Sequence, residues 1–244
     1  MTLIEMKSWT SRHLASVVLL LATLAFLASP AVTPPFRGYD PAMFPVAIAR
    51  PAIQPAGYAF AIWGLIYLWL IAHAIFGLWQ RHDNPAWQRT RLPLTGAVVL
   101  GAIWLAIAQN YPITATVTIL AMAALALTAF LRADLAVDRW ILSAPLAIFA
   151  GWLTAAAAVS TGVVLSGYGW LSDTATALTL LIVVFAGALT VQTRKPAMPV
   201  YGATVVWALL GIVVANWPDL KSVAIPALIG AGLLATLTGL LARR

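Results

Sequence analysis

The chain of 244 residues has no cysteine and only seven acidic side chains. Without cysteine there is no disulfide-stapled secreted fold, no thiolate nucleophile and no sulfur ligand for a metal. Charge of either sign is scarce, at 9% of residues, whereas a soluble domain carries about 25%. A soluble fold of this size cannot cover its surface with 14 basic and seven acidic side chains. Hydrophobic residues make up 62% of the chain and the mean hydropathy is +0.94, which excludes a disordered polymer. What remains is a polytopic membrane protein. The seven acids, Glu5, Asp40, Asp83, Asp134, Asp138, Asp173 and Asp219, all fall outside the long apolar runs. Carboxylates inside a membrane usually mark ion or proton pathways. Their absence argues against ion-coupled transport and removes the usual pair for general acid-base catalysis.

A membrane-spanning helix needs about 20 apolar residues at about 1.5 Å each. Eight segments qualify: Leu14 to Ala31, Tyr58 to Trp79, Leu92 to Gln109, Ile113 to Leu131, Ile141 to Leu165, Thr174 to Gln192, Val200 to Ala215 and Val223 to Ala242. No strand-like alternation competes with them. With the N-terminus inside, Lys7, Arg12, Arg81, Arg89, Arg91, Arg132, Arg139, Arg194, Lys195, Arg243 and Arg244 face inward, and Arg37, Arg50 and Lys221 face outward. The positive-inside rule predicts such a bias, and removing one internal span would scramble it. The expected fold is all-α: a polytopic integral membrane helical bundle of about eight transmembrane helices, with both termini inside. A cleaved signal peptide ending near Ser29-Pro30-Ala31 is the rival reading of the first span. The net charge of +7 is scattered over five inner segments, so it reads as topology and not as a nucleic-acid surface.

Of the three histidines, His13 and His82 sit at inner membrane edges and only His73 lies within a span. One imidazole does not make a metal site. His73 reads as a hydrogen bond to a neighbouring helix, with an axial haem ligand as the weaker alternative. Glycine and alanine recur in the spans, as at Gly151, Ala155 to Ala158, Gly202 and Gly211. Such small faces suit tight packing within the bundle, or a homodimer.

Tryptophan is the informative residue, with 11 copies. Trp9, Trp79, Trp87, Trp140, Trp170 and Trp217 fall at expected interfaces and read as belt anchors. Trp63, Trp69, Trp104, Trp152 and Trp207 are deeper. A deep indole must find an acceptor, so these belong either to a packed aromatic core or to a pocket wall. Trp63 lies about 8 Å below the outer edge, Trp104 at a similar depth and Trp152 near the middle. Tyr67 shares a helix face with Trp63, and Phe60 precedes it by three residues; Trp69 and His73 form a separate stripe. The outer link over 32–57 runs alongside these positions and is rich in proline, including Pro34, Pro35, Pro41, Pro45, Pro51 and Pro55. Proline lowers the entropy lost when a loop is ordered, and a stiff loop of this length often serves as a lid.

The stretch Pro55-Ala-Gly-Tyr-Ala-Phe-Ala-Ile-Trp-Gly-Leu-Ile-Tyr-Leu-Trp resembles the second-helix signature of the TspO/translocator-protein family, also called tryptophan-rich sensory proteins. It supplies Pro55, Tyr58, Phe60, Trp63 and Tyr67; Trp104 matches the third-helix tryptophan and Trp152 the fifth. The resemblance covers about residues 14 to 165 and is nearest a longer branch with extra C-terminal helices. It departs at three polar positions: Gly101 and Phe149 stand where family motifs carry other residues, and Ser160 replaces an asparagine.

The resemblance implies a five-helix unit over 1–165 and three added helices over 166–244. It implies a receptor or sensor for a planar hydrophobic ligand, such as a porphyrin, haem or another tetrapyrrole, held by Tyr58, Phe60, Trp63, Tyr67, Trp104 and Trp152 beneath the first loop. No cofactor is required and no catalytic residue is evident. The alternatives are an ion-independent facilitator of hydrophobic molecules and an assembly subunit of a membrane complex. The expected setting is an integral, multi-pass one in the bacterial inner (cytoplasmic) membrane, with lipid and a small-molecule ligand as partners.

Overall fold

The computed structural model describes residues 3–36 and 38–243, with side chains from Arg12 onward. The side chains of Glu5, Lys7 and Trp9, together with Arg37 and Arg244, lie outside the described residues.

Eight helices account for nearly all of the described chain. They are α1 (Leu3–Val32), α2 (Ile62–Trp79), α3 (Pro85–Ala108), α4 (Pro112–Arg132), α5 (Ser143–Gly167), α6 (Asp173–Arg194), α7 (Val200–Asn216) and α8 (Lys221–Leu241), with a 3-10 turn (Gly57–Ala61) leading into α2. Seven of the helices are long and apolar enough to cross a membrane, while α7, at 17 residues, is shorter. The chain is an integral, multi-pass helical bundle.

The contacts between helix ends show that the helices run alternately up and down. At one end, Arg81 after α2 pairs with Asp138 before α5, and Lys195 after α6 donates to the Ala133 carbonyl after α4. At the other, Gln109 after α3 reaches Pro34 after α1, and Asn216 closing α7 reaches Ala52 in the loop before α2. These are the two ends that the basic residues separate into inner and outer.

The centre of the bundle is α5, whose residues from Ser143 to Leu153 are buried without a break. A helix apolar on all sides is one surrounded by others, and α5 packs against α2, α4, α6 and α7. Its small residues let neighbours approach closely. A methyl group at Gly151 would lie 2.9 Å from the Tyr201 carbonyl of α7. At Gly202 of α7 it would meet the Gln192 side chain at 2.8 Å and the Thr238 hydroxyl. These glycines therefore serve packing inside the bundle, whereas Gly232 and Gly239 of α8 meet nothing within 4 Å.

One expectation is corrected at the inner end. Trp87 is not an interface anchor: it is 1% exposed. The reason is that α3 starts at Pro85, capped by Asn84, a full two turns before its apolar run. Trp87 is thereby drawn into the bundle, where it stacks on His73 at 4.7 Å. Its indole N–H donates to Asp138 at 2.9 Å. Trp79, Trp140, Trp170 and Trp217 do lie exposed. Among the deep set, Trp207 is on the lipid side, 37% exposed, because its N–H bonds the Ala59 carbonyl at the outer end of α2.

Candidate functional site

The loop over 33–56 is held by polar bonds to three helices. Val46 N–H donates to the Gly167 carbonyl at the end of α5 (2.9 Å), and Ala56 N–H to that of Gly211 in α7 (2.9 Å). The Ala52 N–H is received by both carboxylate oxygens of Asp173, at 3.1 and 3.0 Å, and the Ala52 carbonyl accepts from Asn216 at 2.8 Å. Arg50 donates to the Ala215 carbonyl at 2.7 Å. Ile53, 1% exposed, is seated against Gly162 of α5, and Phe44 against Gly167. Both seats need glycine: an added methyl would lie 2.5 Å from Ile53 and 2.4 Å from Phe44.

Beneath this loop the structure brings together four of the six sequence-predicted residues. Trp63 and Tyr67 of α2 stack with ring centroids 5.4 Å apart and planes 23° apart. Trp152 of α5 meets Trp63 edge-on at 6.3 Å and Phe60 at 5.6 Å. Edge-to-face and offset-stacked pairs are the favoured ring geometries. The other two lie elsewhere. Trp104 turns to the loop, 5.5 Å from Phe36, and donates to the Ala115 carbonyl at 2.9 Å. Tyr58 faces Trp207 at 5.5 Å. Tyr58, the second residue of the 3-10 turn, stands five residues before Trp63, a spacing that does not share a helix face.

The ring at the middle of the cluster is one that the sequence reading did not select. Phe26 of α1, 3% exposed, touches Trp63 at 5.9 Å, Tyr67 at 5.2 Å and Phe149 at 5.8 Å. Its signal was depth: it lies about 8 Å below the outer end of α1 at about 1.5 Å per residue, level with Trp63. Gly101 makes the room, since a methyl group there would lie 2.6 Å from the Phe26 ring. Phe36, Tyr39 and Phe44 of the loop were also missed. They form a line of edge-on contacts, 5.1 Å from Phe36 to Tyr39 and 5.9 Å from Tyr39 to Phe44.

The buried Trp152 indole N–H, set among these rings, has no partner among the described residues. A buried polar group is ordinarily paired, and each exception needs a reason. Burial pushes the Tyr39 phenol up to about 12, so its hydroxyl keeps its proton. A hydrogen bond with Ser160, which is also bonded to Thr116 at 2.7 Å, works against that rise.

His73 lies in the inner half, away from these rings. It is fully buried. Its Nδ1 is 2.9 Å from the Ile141 carbonyl, the hydrogen bond to a neighbouring segment that the sequence suggested. Trp69, its neighbour on the stripe, donates to the adjacent Trp140 carbonyl at 2.9 Å.

A tryptophan-lined cluster on α2 and α5 beneath a tethered loop now stands beside one decisive comparison. A family model described as TSPO-like protein matches residues 13–240. The chain belongs to that family. In this TSPO-like protein the match continues through α6, α7 and α8, so the last three helices lie within the family pattern and not beyond it. No curated protein and no solved structure matches the chain. At family level the TSPO-like chain is a membrane sensor or binding protein, of a kind generally without enzymatic activity.

Proposed function

We propose that this TSPO-like protein is a membrane receptor for a planar hydrophobic ligand, such as a porphyrin or another tetrapyrrole, taken up among Trp63, Tyr67, Trp152 and Phe26 beneath the first loop. The observation that carries this reading is the unpaired Trp152 N–H, 2% exposed and set among aromatic rings. A core tryptophan with no role beyond packing is expected to have an acceptor. A flat ligand bearing carbonyl or carboxylate oxygens would supply one, while the rings stack on its faces. The rings are in contact with one another, so binding requires them to part. Phe60 is the ring free to do so, being 40% exposed while covering Trp152. On this reading the five-helix part carries the ligand, and α6 and α7 hold the loop above it.

The test is a titration of protoporphyrin against the purified protein, followed by tryptophan quenching. The wild-type protein quenches saturably, and a Trp63→Ala, Trp152→Ala double variant that still elutes as a folded species does not. Unchanged binding in that variant would remove the site assignment.

A further inference from the structure

The inner face carries a cleft of about 580 Å³ where the start of α3, the end of α4 and the end of α6 meet. Three cations converge on it, Arg89, Arg132 and Lys195, against one carboxylate, Asp134. Leu131 and Leu135 supply an apolar wall.

Several inner cations are already committed. Arg81 is paired with Asp138. Arg91 donates to the carbonyls of His82, Arg81 and Gly77, and Arg139 to that of Ala197. Arg89 and Arg132, both exposed at the cleft, make no hydrogen bond or ion pair among the described residues. Asp134 forms no ion pair with either among the described residues; its carboxylate accepts the Ala136 N–H at 2.8 Å, and its single charge leaves the cleft in positive excess. Lys195 is half-buried and bonded to the Ala133 carbonyl. Burial holds its ammonium below the usual lysine range, although Asp134 opposes this. The positive-inside rule accounts for basic residues on this side; what is particular to this place is that two free guanidinium groups and a lysine face one cleft. Guanidinium forks match the oxygens of a phosphate group in pairs.

We propose that this cleft is a phosphate-binding site, with Arg89, Arg132 and Lys195 as donors, placed to take the headgroup of an anionic lipid of the inner leaflet or a free phosphate ester. The apolar wall of Leu131 and Leu135 beside the cations suits a headgroup whose chains remain in the bilayer.

The experiment uses the full chain, delipidated in a neutral detergent. Phosphatidylglycerol, phosphatidylcholine and inorganic phosphate are each titrated while bound species are counted by native mass spectrometry. An Arg89→Gln, Arg132→Gln variant is the probe. Both residues lack partners within the protein, so the fold is expected to survive, and elution as a single species checks it. Arg243→Gln removes one charge from the same side outside the cleft, and is compared with the single Arg89→Gln and Arg132→Gln variants as well as the double one. The expected result is retention of phosphatidylglycerol over phosphatidylcholine, weakened about tenfold or more in the double variant and unchanged in Arg243→Gln. Competition by millimolar inorganic phosphate, lost in the same variant, would assign the site to free phosphate and still support the cleft. Equal loss in Arg243→Gln, or no preference for either phosphate probe over phosphatidylcholine, would overturn the proposal.

Discussion

The inner end of the bundle and the aromatic cluster in its outer half are built on opposite principles. At the inner end, polar side chains fasten one element to the next. Arg91 binds three backbone carbonyls, Asp138 receives Arg81 and Trp87, and Trp69 and His73 clamp adjacent carbonyls of the link between α4 and α5. In the outer half, rings of α1, α2 and α5 lean on one another through contacts that any similar surface could replace, with the Trp152 donor idle. Directional bonds fix a geometry, because breaking one strands a buried partner. Ring-on-ring contact tolerates exchange. The inner end is made to stay assembled, and the aromatic cluster is made of parts that can be re-partnered.

That contrast breaks most visibly at Arg91. Arg91→Met strands three carbonyls at the inner end and is expected to cost about 3 kcal/mol of stability, read as a lowered unfolding midpoint in detergent, with porphyrin quenching by the folded fraction unaltered. Next in size is Gly167→Ala, which drives a methyl group into the Phe44 ring. Overpacking of this kind costs about 2 kcal/mol, and increased protease cleavage within residues 38–56 would report the loosened loop. Trp152→Phe should reverse the order of effects: stability within about 0.5 kcal/mol of wild type, since no hydrogen bond is lost, but tetrapyrrole affinity down about tenfold. A variant that is strongly destabilised yet binds normally would put Trp152 on the fastening side of the comparison.

The smallest effect is a pH dependence. The Arg81 guanidinium bonded to Asp138 and the Trp87 N–H hold its carboxyl below the usual range, against an upward push from burial. The group is charged when folded at pH values where it begins to protonate when unfolded. Its contribution is therefore complete above about pH 4 and lost as the pH falls through the lower folded value. Because the pair is partly open to solvent, with the Arg81 side chain 36% exposed, the change should be slight. Asp138→Asn should abolish that acid-side slope in unfolding midpoints measured between about pH 5 and pH 3.

Hydropathy and the placement of basic residues made the helices legible, since both depend only on length along one chain. Trp63, Tyr67, Phe60 and Trp152 could be grouped because spacing and depth are one-dimensional quantities. Trp87 was misread because helix start signals, Asn84 and Pro85, moved it inward by two turns. Phe26 was overlooked because its place in the cluster depends on a gap left by Gly101 on another helix, and a sequence does not state which helices adjoin. The bonds from the loop to Asp173, Gly211 and Asn216 were illegible for the same reason, as they join positions more than 100 residues apart.

The tether itself has a mechanical consequence. The backbone of residues 50–56 is fixed to the first residue of α6 and to the last turn and a half of α7. Cutting the chain after α5 would not leave a smaller version of the same vessel, because the cover would lose Asp173, Gly211, Ala215 and Asn216 at once. In the intact chain the loop is not a free flap but one arm of a lever. Any displacement of it must either rupture these bonds or carry the outer ends of α6 and α7 along.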